Sequence, residues 1–115
     1  KMMKQIGIDY IDYMERKILY FERQSVALFG RQINQVLLIH ASALNSEYID
    51  ALAKMFIRRE YNFISLSSAL EDIAYKTPVT AYGNWGISWI DRWALSQGKK
   101  GDFFKGDPEI PSYIR

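Results

Sequence analysis

A single imidazole, His40, is the one side chain of the sequence whose ordinary titration falls close to neutral pH. It follows the branched apolar run Val36-Leu37-Leu38-Ile39, which reads as a strand. In parallel α/β folds the C-terminal ends of strands are where catalytic and ligand-binding groups gather. An imidazole there can act as a general acid or base, and a structural histidine bonded to the next loop would occupy the same place. Ser42 is a near neighbour, but the sequence places no acid to orient the ring, so a nucleophilic triad has no support. With one His and no Cys, a mononuclear zinc site would need carboxylates converging from distant positions. Asp9, Asp12, Glu15 and Glu22 fall on one predicted helix, where a solvated face explains them. Gly83-Asn84-Trp85-Gly86 precedes a predicted helix and offers backbone N–H groups to an anion, yet it matches neither a P-loop nor a dinucleotide fingerprint. Trp85, Trp89 and Trp93 recur at every fourth position and would form one apolar ridge, for packing or for stacking on a sugar ring.

The elements that must position these groups are legible as patterns. Ile11, Met14, Ile18, Phe21, Ser25 and Leu28 alternate steps of three and four, which predicts a helix over 8–29 with Gly30 as its C-terminal cap. Tyr10, Tyr13 and Tyr20 form a second row beside that stripe, either the rim of the core or a face for another segment or subunit. Residues 35–40 predict a strand covered on both sides, and 61–65 a second short strand. Between them a helix over 47–60 is expected, capped by Asn45 or Ser46, with Ile49, Leu52, Ala53 and Phe56 inward. Ser68 and Glu71 have capping-box spacing, 76–86 reads as a loop, and 87–97 as a final helix with Ile90, Trp93 and Ala94 on one side. Residues 1–97 form the predicted folded segment, and 98–115, with their glycines and prolines, an irregular tail.

This order predicts an α/β fold with two short parallel strands joined by helical crossovers. So small a sheet leaves both edges open, so the expected architecture is part of a larger one, with further strands before residue 1. The chain opens on Lys1, which fits a processed chain or a piece of a longer protein. Open strand edges also make a homodimer an expectation.

Composition narrows the classes further. The 115 residues suit one domain, and 49% hydrophobic with 24% charged residues is a globular composition. Fifteen Lys and Arg against 13 Asp and Glu leave a net charge of +2, too weak and too evenly mixed to argue for nucleic acid. The longest aliphatic run is far short of a membrane span. The absence of cysteine excludes disulfides and thiolate catalysis.

The segment Val36-Leu37-Leu38-Ile39-His40, the helix after it, and Tyr61-Asn62-Phe63-Ile64-Ser65-Leu66-Ser67-Ser68-Ala69-Leu70 resemble the C-terminal part of polysaccharide deacetylases of the NodB-homology family. Gly86-Ile87-Ser88-Trp89-Ile90-Asp91-Arg92-Trp93-Ala94 is similar to the tail of one bacterial branch of it. The resemblance implies the C-terminal part of a distorted (β/α) barrel and metal-dependent hydrolysis of N- or O-acetyl groups on a carbohydrate, at the cell envelope or outside the cell. It implies that a divalent ion, commonly zinc, polarises the acetyl carbonyl and activates water. His40 would protonate the departing amine and Leu38 would help form the pocket for the acetyl methyl. The family's metal-binding histidine pair and its early aspartate have no counterpart here, so the chain alone is expected to bind no metal and to be inactive. The alternative is a non-catalytic module that binds a partner or a glycan through its Trp and Tyr surfaces.

Overall fold

The computed structural model describes residues 2–39, 42–81 and 88–109. The longest element is α1, Met2–Phe29, a 28-residue helix. Its stripe faces inward as its spacing requires: Ile18 and Ser25 are buried, Ile11 and Met14 pack on one apolar cluster, and Phe21 and Leu28 on another. The helix ends where Gly30, at φ +71°, donates its N–H to the Val26 carbonyl at 2.8 Å. That left-handed conformation is open to glycine without the Cβ penalty other residues meet. Ser25 then fixes the chain reversal, donating to the Arg31 carbonyl at 2.7 Å and accepting from the Ile33 N–H at 3.0 Å.

Helix α2, Ala43–Arg58, crosses the N-terminal half of α1. Leu52, Met55 and Phe56 join Ile18 in the first cluster. Gly7 makes the close approach between the two helices, because a Cβ there would overlap the ring of Tyr48. Glu15 on α1 meets Arg59 at 2.7 Å. The short α3, Leu66–Ala69, and a 3₁₀ turn at Ile73–Lys76 lead to α4, Trp89–Ser96, against the C-terminal half of α1. Here Ile33, Ala74, Ile90 and Trp93 form the second cluster. Trp93 is fully buried, edge-on to Phe29 at 5.2 Å, with its indole N–H donating to the Thr77 carbonyl at 3.1 Å. A last 3₁₀ turn, Gly101–Phe104, is tied back by Gln24, whose amide reaches the Phe103 carbonyl at 2.9 Å.

The expected α/β architecture, a barrel fragment with two parallel strands, is overturned: the structure is helical and no strand forms among the described residues. Both segments that read as strands, the described part of 35–40 and the whole of 61–65, are free of helix, turn and bend. They are drawn-out chain with no ladder between them. Branched and aromatic residues dispose a segment to such a course, but a strand exists only when a second backbone lies about 4.8 Å away. Helix boundaries differ too. Ser42, not Asn45 or Ser46, caps α2, accepting from Asn45 N–H at 3.1 Å. Ser65, not Ser68, caps α3, and α4 is shorter than expected. Among the described residues no helix is long and apolar enough to cross a membrane.

Candidate functional site

The two drawn-out segments line an apolar groove of about 570 Å³. Its floor is Met14, Ile18 and Phe21 of α1 with Phe56 of α2, residues placed there by the same helical spacing that builds the core. Its walls are residues 35–38 and 61–64, continued by Leu66 and Ala69. A volume of this size and apolar character is that of an ordinary ligand pocket.

Leu38 lines this groove and is 84% exposed, the most open of the large aliphatic side chains described. His40 lies outside the described residues, as do Trp85 and the Gly83–Gly86 loop. Of the two residues the resemblance singles out, the described structure bears on Leu38 alone and places it on this groove. The polar side chains on the groove are Lys17, Gln35, Tyr61 and Asn62. They include no carboxylate and no imidazole, so the lining does not fit a divalent cation. Among the described residues no three His, Asp or Glu side chains converge as a metal-holding group.

Gln35 had no signal in the sequence, being a lone amide before an apolar run. Its Nε2 is buried with no hydrogen-bond partner. The groove also carries open backbone: among the described residues no protein partner meets the N–H or C=O groups of 35–39 and 62–64. At one edge Tyr61 donates its hydroxyl to Glu22 at 2.6 Å, and burial with that carboxylate beside it pushes the phenol above its ordinary range.

The described part of the tryptophan ridge is split. Trp93 is core, while Trp89, touching it edge-on at 6.4 Å, is 52% exposed. The tyrosine row likewise turns inward. Tyr10 is buried with its hydroxyl on the Asn45 side chain, and Tyr20 is buried with its hydroxyl 3.3 Å from Asp91. Searches against protein-family models, curated proteins and solved structures gave no match to the chain.

Proposed function

We propose that this chain is the C-terminal portion of a metal-dependent carbohydrate deacetylase, in which Leu38 contacts the acetyl methyl and His40 donates the proton to the departing amine. The observation that carries this reading is Leu38: a leucine so open to solvent on an apolar groove has no core-packing role there. An acetyl methyl is a ligand such a side chain suits, through dispersion contact and the removal of apolar surface from water. As the C–N bond breaks, the leaving nitrogen takes the imidazolium proton and the ring is left neutral, chemistry suited to a group titrating near neutrality. The described groove lining supplies no metal ligands, so the ion belongs to residues beyond it.

The test is acetate release from acetylated chito-oligosaccharides and acetylated xylan by the full-length protein that carries this chain. His40→Ala is expected to lower kcat by at least about 100-fold, the scale of a lost general acid. Leu38→Ala is expected to raise KM, with the circular dichroism spectrum unchanged. Full activity after the histidine change, or no release from either polymer, overturns the reading.

A further inference from the structure

We propose that the groove between α1 and the two drawn-out segments is a docking site for an extended, apolar polypeptide segment of a partner chain, which adds as a strand along residues 35–38 and 62–64. Three observations at one place carry this. The backbone N–H and C=O groups of 35–38 and 62–64, residues that line the groove, meet no protein partner among the described residues. The Gln35 amide nitrogen is buried and has no acceptor. The side chains around them, Val36, Leu37, Leu38, Phe63 and Ile64, are exposed although large and apolar.

Each observation narrows the occupant. A lipid chain would cover the apolar walls and leave the backbone and the Gln35 amide without partners. A saccharide laid along the whole groove would set ring hydroxyls against Met14, Ile18 and Phe21, whereas the deacetylase reading brings only an acetyl methyl to Leu38. An extended peptide meets all three demands: its carbonyls and N–H groups pair with an open edge, one carbonyl reaches Gln35, and alternate side chains enter the groove. Gln35 thus acts as a registration point, because only a segment that brings a carbonyl to it relieves the unmatched donor. The proposal uses the same groove and Leu38 as the deacetylase reading, so peptide and substrate would compete there, and because docking is read without acetate release either reading can fail alone.

The experiment is a nuclear magnetic resonance titration of the isotope-labelled 115-residue chain. The probe is a capped peptide of alternating valine and threonine with a lysine at each end, and the control is the same peptide methylated on every backbone nitrogen. Saturable shifts are expected at the amides of 35–38 and 62–64 and at the Gln35 side-chain amide. Exchange of those backbone amides should slow by about tenfold or more as they become hydrogen-bonded. The methylated control should produce none of this. Val36→Pro removes one donor from an exposed position and should weaken binding about tenfold with helix content intact. Equal binding of the methylated peptide would mean apolar adhesion only and overturn the proposal. So would no saturable binding, or a free protein already dimeric by light scattering with those same amides protected, which would make a second copy the occupant.

Discussion

Asp72 shows how one carboxylate can hold two stretches of chain together. It accepts from the Arg31 guanidinium at 3.0 Å, from the Asn34 N–H at 2.9 Å and from the Ala74 N–H at 2.9 Å. The Arg31 hydrogen bonds, with smaller help from the two amides, hold its carboxyl well below the usual range despite its burial. A group so depressed contributes stability that is complete above the unfolded-chain pKa of about 3.9 and is lost as pH falls below it. Asp72→Asn should therefore be less stable than the parent at pH 7 and nearly equal to it in strong acid, as urea unfolding at several pH values would read. Equal stability of the two at pH 7 would refute this account. Asp91 has the opposite sign. Burial raises its carboxyl, so the folded chain takes up this proton more readily than the unfolded one, and the cost grows as pH rises from about 4 through its folded pKa. Asp91→Asn keeps an acceptor for Tyr20 while removing that charge, so it should be no less stable at pH 7 and should flatten the pH dependence above 4. A loss of more than about 1 kcal/mol at pH 7, the worth of a typical hydrogen bond, would count against it. None of this was legible beforehand: both aspartates stand among other charges, and only the fold distinguishes the clamped one from the buried one.

At the scale of elements, what could be read and what could not divide along a physical line. The α1 stripe was legible because 3.6-residue periodicity places a whole face by local geometry alone, and Gly30 marked its end. The start of α2 was not, since Ser42, Asn45 and Ser46 are all good caps and their side chains do not reveal which one turns first. Ser42→Ala should lower stability by about 1 kcal/mol, the usual cost of a lost cap, whereas Ser46→Ala should be nearly silent in the same thermal melt. Gly7→Ala presses a methyl into the Tyr48 ring and should cost about 1–3 kcal/mol, recoverable in part by Tyr48→Ala. The strands failed for a different reason. Residues 35–39 and 61–65 carry strand composition, and they do run drawn out, but pairing is a relation between backbones that no local pattern contains. The candidate site inherits that limit. Leu38 was singled out only through the resemblance, while Gln35 and the groove itself depend on what α1 and α2 leave uncovered.

Across the whole molecule the apolar interior is divided. One cluster lies between α1 and α2, the other gathers around Trp93, and α1 is common to both. Two of the tryptophans make the division measurable. Trp93→Ala should cost about 3–5 kcal/mol, the range for deleting a buried aromatic, and quench the blue-shifted part of the fluorescence. Trp89→Ala, at a half-open position, should cost far less, and comparable losses would mean that the ridge is packed after all.

A helix of 28 residues is about 42 Å long, close to the 45 Å extent of the described fold. It is an axle with a hub pressed on at either end, and among the described residues the two hubs share no buried apolar side chain. Much of the unity in the melting of this protein must pass lengthwise through the axle's own hydrogen bonds, beside the groove and the Tyr61–Glu22 bond. Weakened at mid-shaft, around Lys17 and Leu19, it should let go in two steps, the hubs parting company while each stays assembled.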